Sequence, residues 1–120
     1  QYYDKIGIDI AKDNGSWFDG NGGRNTSSQT GVVDANQWYH VVFTYSNGTI
    51  KGYLNGALQF TTTQSGMTSG IKNGSATRYI GRRSGQFLDG KLPIVRLYKA
   101  QLTADQVKSN FNSYNVRFAF

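Results

Sequence analysis

The sequence contains no cysteine and no glutamate, and only one histidine, one proline and one methionine in 120 residues. Without cysteine there can be no disulfide, no thiolate metal site and no cysteine nucleophile. His40, standing alone, excludes a metal motif built on two histidines. With glutamate missing, the carboxylates are seven aspartates: Asp4, Asp9, Asp13, Asp19, Asp34, Asp89 and Asp105. No stretch approaches the roughly 18 consecutive apolar residues of a membrane-spanning helix, so no membrane insertion is expected. The opening Gln1-Tyr2-Tyr3-Asp4 has neither a basic segment nor an apolar run and does not read as a signal peptide. It also lacks an initiator Met, which reads as a chain processed, trimmed or drawn from inside something longer.

What is present points one way. Fifteen Gly and ten Asn against a single Pro are the composition of an all-β chain with many tight turns. Eight Tyr, seven Phe and two Trp, with 38% hydrophobic residues, are enough for one modest core. At this length that means one domain. The net charge is +6, from 13 Lys and Arg against seven Asp. The basic residues are scattered, with Arg82-Arg83 the one adjacent pair, which argues against nucleic acid as a partner.

The turns organise the rest. Asn-Gly occurs at 14–15, 21–22, 47–48, 55–56 and 73–74, and Asp-Gly at 19–20 and 89–90. These pairs supply the positive φ angles of type I′ hairpins. They predict a meander of three antiparallel strands: Trp38–Tyr45, Thr49–Leu54 and Ala57–Thr61. Further strands are expected at Tyr2–Ile10, Thr77–Gly81 and Lys91–Tyr98, with Pro93 at a strand start, bulge or edge. Segments 11–36 and 62–76 read as polar loops, with short strands at 16–19 and 30–34. Thr103-Ala104-Asp105-Gln106 fits a capping box, flanked by Leu102 and Val107 as a hydrophobic staple, and predicts one short helix. Tyr114, Val116, Phe118 and Phe120 alternate with polar or small residues and read as a closing strand.

In this order the segments resemble a laminin-G-like, concanavalin A-like jelly-roll domain. The matching residues are Trp38–Tyr45, Gly52-Tyr53-Leu54-Asn55-Gly56, Tyr79-Ile80-Gly81-Arg82-Arg83, Phe87–Leu92 and Val95–Thr103. The resemblance covers about residues 37 to 112. It implies an antiparallel jelly-roll β-sandwich with one short C-terminal helix, spanning residues 1–120 as a single domain. The tail, residues 107–118, resembles the ending of such domains in tailed-phage and other virus structural proteins. Family domains carry more sequence before the Trp38 strand, so this chain is expected to lack N-terminal strands. A longer polypeptide or a partner would then complete the sandwich, and the isolated chain should self-associate or bind a hydrophobic dye.

Chemistry is constrained by the same absences. A retaining glycosidase needs two carboxyls about 5 to 5.5 Å apart. Here no two Asp stand at i, i+2, and Asp4 and Asp9 fall on opposite faces of a regular strand. A hydrolase, and an enzyme of any kind, is therefore not expected. His40 reads as a packed strand histidine. Calcium is the one cofactor the resemblance raises; many such domains hold it at the sandwich rim, where Asp19, Asp34 and Asp89 are candidate ligands. The loop Asp13–Arg24 places Trp17 and Phe18 between turn dipeptides, so Trp17, Asp19, Asn21 and Arg24 are candidate sugar contacts, with Arg82 a further one. Sequons at Asn25, Asn47 and Asn73 are close to chance in so Asn-rich a chain.

The expected function is a non-catalytic structural or adhesive module, located on a virion (capsid, fibre or tail) or otherwise extracellular. It would act on neighbouring subunits of an assembly or on cell-surface glycan. The alternative is a carbohydrate-binding, lectin-like module of a secreted protein.

Overall fold

A computed structural model describes residues 6–8, 32–63, 79–83 and 85–118, with backbone only at Arg83. The meander is its centre. Strands β1 (Val41–Ser46), β2 (Thr49–Leu54) and β3 (Ala57–Thr63) form one antiparallel sheet in the order β1-β2-β3. Both connecting turns are Asn-Gly. Asn47 and Gly48 have φ of 45° and 77°, and Asn55 and Gly56 have 50° and 78°, the double positive φ that a type I′ turn requires.

Register follows from the turns. Tyr45 faces Ile50, Phe43 faces Gly52 and Val41 faces Leu54, so these six residues share one face. On that face Phe60 stands opposite Gly52, its ring lying where a Cβ on Gly52 would have to be. A bulge at Gln59 then resets the pairing, so that Tyr53 meets Leu58 and Leu54 meets Ala57. Ile50 is fully buried among Ile8, Tyr45 and Phe60. Ile6 is also buried, and Gly7 makes a single β-bridge. Residues 6–8 therefore pass against this face, with Ile8 packed on Ile50.

The other end of the sheet is closed by helix α1 (Ala104–Phe118). Its capping box forms in full: the Thr103 amide donates to Gln106 Oε1 at 2.9 Å, and the Gln106 amide donates to Thr103 Oγ1 at 3.2 Å. Asp105 in the first turn and Arg117 in the last both complement the helix dipole. Val107 is fully buried and Leu102 partly so, the positions of the staple. The helix lies on the β2–β3 turn, where a Cβ on Gly56 would sit 3.1 Å from Phe111 Cδ1 and 3.4 Å from Lys108 Cα.

Several expectations need correction. The helix is not short: it runs 15 residues and takes up the tail read as a strand, at least to Phe118. Tyr114 and Phe118 do alternate with polar residues, but Val107, Phe111, Tyr114 and Phe118 also stand at i, i+4, i+7 and i+11, a helical stripe. Val116, which the strand reading would bury with them, is 95% exposed. The strand from Trp38 begins only at Val41, although the Asn55 amide still donates to the His40 carbonyl at 2.9 Å. Residues 79–81 are not a strand; Gly81 has φ of 71°, and β4 (Arg82–Arg83) pairs instead with β5 (Gln86–Phe87) through a turn at Gly85. Residues 91–98 carry strand residues but join no ladder, and Pro93 offers no amide there. Residues 32–34 are not a strand either. The described residues thus form one three-stranded sheet, one two-residue hairpin and a helix, where two full sheets were expected.

Candidate functional site

Two places on the fold gather side chains able to make contacts. The first is a cleft of about 620 Å³ along β1, walled on one side by residues 38–45 and on the other by 91–102, with Tyr114 and Phe118 of α1 at one end. Aromatic packing builds the helix end. Trp38 sits on Phe118 with ring centroids 5.5 Å apart, and His40 lies 6.1 Å from Phe111 and 5.9 Å from Tyr114. The His40 amide is fixed by Asn55 Oδ1 at 2.9 Å. Burial there pushes the His40 imidazole below its ordinary pKa, since the charged ring would lose water.

Across the cleft, Arg96 lies over the Tyr114 ring at 5.3 Å. The nearby Tyr98 side chain, and then the field of Tyr114, raise the guanidinium above its ordinary pKa. Asn110 Nδ2 reaches the Tyr98 hydroxyl at 3.5 Å, a long contact. Arg96 thereby links the extended segment to the helix. Lys91 and Lys99 line the same wall, and among the described residues no Asp lines the cleft.

The second place is the β4–β5 hairpin. Arg82 stacks between two exposed rings, 4.7 Å from the Tyr79 centroid and 5.4 Å from that of Phe87. The Leu88 amide donates to the Gly81 carbonyl at 2.8 Å and closes the base of the hairpin. Arg82 makes no ion pair among the described residues. The arrangement is a small aromatic platform with a cation at its centre, able to meet an anionic group beside an apolar face.

Of the residues singled out from sequence, Trp17, Asp19, Asn21 and Arg24 lie outside the described residues, as do the sequons at Asn25 and Asn73. Asn47 is exposed in the β1–β2 turn. Asp34 and Asp89 are both exposed; the Asp34 amide donates to the Tyr39 hydroxyl at 2.8 Å. No hydrogen bond or ion pair among the described residues joins Arg82, Asp34 and Asp89. Among the described residues no three His, Cys, Asp or Glu cluster where a metal ion could sit.

Sequence reasoning missed Tyr79 and Phe87 as the flanks of Arg82, and it missed the cationic wall Lys91, Arg96 and Lys99. The first had a signal in the sequence pair Ser84-Gly85, a turn dipeptide, and Phe87 pairs with Arg82 in the structure. The second had none of comparable strength: Lys91 and Arg96 fell within the expected strand Lys91–Tyr98, and Lys99 just after it.

The comparisons with known proteins agree with this fold at the level of family. A laminin-G family model, described as the concanavalin A-like lectin/glucanases superfamily, matches residues 3–108, and the chain belongs to that superfamily. No curated protein matches it. Among solved structures, it is similar to an S-layer domain-containing protein (residues 221–444) from Clostridium thermocellum ATCC 27405, with 21% identity and a TM-score of 0.55. The alignment covers 74% of this chain and 46% of that one, so the chain spans less than half the length of that structure. At that identity the likeness establishes shared fold and nothing further.

Proposed function

We propose that this chain is a non-catalytic contact module on the outside of a larger extracellular assembly, working by packing against neighbouring subunits or by adhesion. The observation that carries the reading is the exposed apolar row beside the β1 cleft. Leu92, Val95, Leu97 and Tyr98 are each about half exposed or more, and Leu97 is 97% exposed. An isolated surface rarely leaves such a row in water, and a contiguous apolar patch marks an interaction surface. The superfamily and the S-layer neighbour support a surface setting. A virion is the finer setting we favour, on the resemblance of residues 107–118 alone.

The lectin-like reading has its own support in the Tyr79–Arg82–Phe87 platform, since aromatic faces suit the C–H side of a sugar ring. Two measurements on the purified chain separate the readings. Reducing-sugar release from a panel of polysaccharides should stay at background; turnover would refute the non-catalytic assignment. A glycan array should show no saturable binding. Binding of a defined sugar that Arg82→Ala abolishes would move the function to a lectin.

A further inference from the structure

We infer that the cleft beside β1 is a strand-addition site for an extended acidic segment of a neighbouring protein subunit. The inference rests on the contact-module reading and names the chemistry of the partner. Its first support is the direction of the β1 backbone. Ser46 and Thr49 flank the type I′ turn, and the Asn55 amide bonds to the His40 carbonyl, so the even-numbered residues from His40 to Ser46 exchange hydrogen bonds with β2. Alternation then directs the N–H and C=O of Val41 and Phe43 outward, into the cleft. Among the described residues β1 is an edge strand, with no ladder on that side. A ready row of donors and acceptors of this kind is a template for another strand.

The second support is the shape of the lining. A pocket resting on one face of a strand touches every second residue. This one is lined by every residue from Trp38 to Tyr45, and by nearly every one from Lys91 to Leu102. It therefore runs along the strand edge, between two stretches of chain. Residues 91–98 carry strand-forming residues without a ladder, as expected of a strand whose neighbour is supplied from outside. The third support is charge. Lys91, Arg96 and Lys99 stand on the cleft wall with no Asp among its described lining residues, and Arg96 already rests over the Tyr114 ring, which lowers the ordering cost of an ion pair. A second copy of this chain, at +6 and with no Glu, does not offer the complementary strand.

The test is titration of the full chain with a labelled ten-residue peptide alternating Glu and Val, followed by fluorescence anisotropy. A Lys/Val peptide and the Glu/Val peptide N-methylated at alternate residues serve as controls. The Glu/Val peptide should bind saturably, at least tenfold tighter than either control, and should slow hydrogen exchange at the Val41 and Phe43 amides. The double variant Lys91→Glu, Arg96→Glu should invert the preference toward the Lys/Val peptide. Equal binding of the N-methylated peptide, or protection that misses Val41 and Phe43, overturns strand addition. No peptide binding, with the chain still attached to an assembly or a glycan, overturns this inference and leaves the contact-module reading standing. Polysaccharide turnover is the separate result that removes that reading itself.

Discussion

Ile50→Ala tests whether the sheet face that buries Ile50 is the core of the molecule. Ile50 has no solvent exposure and is packed by Ile8, Tyr45 and Phe60, and Phe60 in turn meets Phe43 in a tilted pair with centroids 6.3 Å apart. The substitution deletes three carbon groups, each worth about 0.8 kcal/mol of transfer free energy, which gives ~2.4 kcal/mol before any cavity forms. Three of its neighbours come from different segments, residues 6–8, β1 and β3, so they cannot collapse together onto the space. A cavity contribution should then raise the loss to about 3–4 kcal/mol, within the usual range for such a change. Ile50→Val removes one carbon group and should cost about 1 kcal/mol. Urea titrations followed by far-ultraviolet circular dichroism would read both, with the midpoint falling and the slope unchanged. A loss below about 1 kcal/mol for Ile50→Ala, or equal losses for the two variants, would show that residues 6–8 do not cover this face.

Thr103→Ala should cost about 1 kcal/mol by removing the oxygen that accepts from the Gln106 amide, and a loss within titration error would mean the cap contributes nothing. Gly56→Ala should destabilise by about 1 kcal/mol or more, because φ of 78° disfavours a side chain and the new Cβ meets Phe111 at 3.1 Å; an unchanged melt would place the helix elsewhere. His40 is held below its ordinary pKa by burial, so the unfolded chain takes up a proton at higher pH than the folded one. Stability should therefore be level above about pH 6.5 and fall as the pH drops below it, a slope that His40→Gln should abolish in urea midpoints taken between pH 7.5 and 5.5. Chelation of divalent ions should leave the melting temperature unchanged; a drop that calcium reverses would bring Asp34 and Asp89 back as ligands.

The parts of the fold legible in the sequence are those whose causes are local. Asn47-Gly48 and Asn55-Gly56 each determine a turn type, the turn type determines register, and register decides that Ile50 faces Tyr45. The capping box is equally local and formed as read, although where the helix stopped was not. Residues 114–118 satisfy both a period of 2 and a period of 3.6, and the choice went to the helix because Phe111, Tyr114 and Phe118 had Gly56, His40 and Trp38 to pack on. Those contacts span 55 to 80 residues of sequence, which no window of a dozen residues can contain. The candidate site was less legible for the same reason. Arg82 was singled out, but its two aromatic flanks are joined to it by a turn and a pairing; the cationic wall depends on residues 91–102 lying beside β1.

Residues 91–98 carry this reasoning one step further. Their pattern, apolar and β-branched around Pro93, is as good a strand signal as that of β3, yet β3 is in a ladder and 91–98 are not. The difference is the turn. An Asn-Gly pair brings β3 back against β2 without help from the rest of the chain, whereas Asp89-Gly90 leads into residues 91–98 with no strand directly before it long enough to receive them, only the two residues of β5. Pairing for 91–98 then comes from across the molecule or from outside it, and among the described residues the unpaired edge that lies beside this segment is the outer edge of β1. A local strand signal left unsatisfied, facing an edge whose amides point the same way and whose wall is cationic, is what a site that receives its last strand from a partner looks like in a single chain. If so, the Glu/Val peptide should convert 91–98 as well as protecting β1: hydrogen exchange should slow at Ile94 and Arg96 or at Val95 and Leu97, one alternate set and not both, because only one edge of that segment faces the cleft. Uniform slowing over 91–98 would indicate general compaction and would refute pairing there.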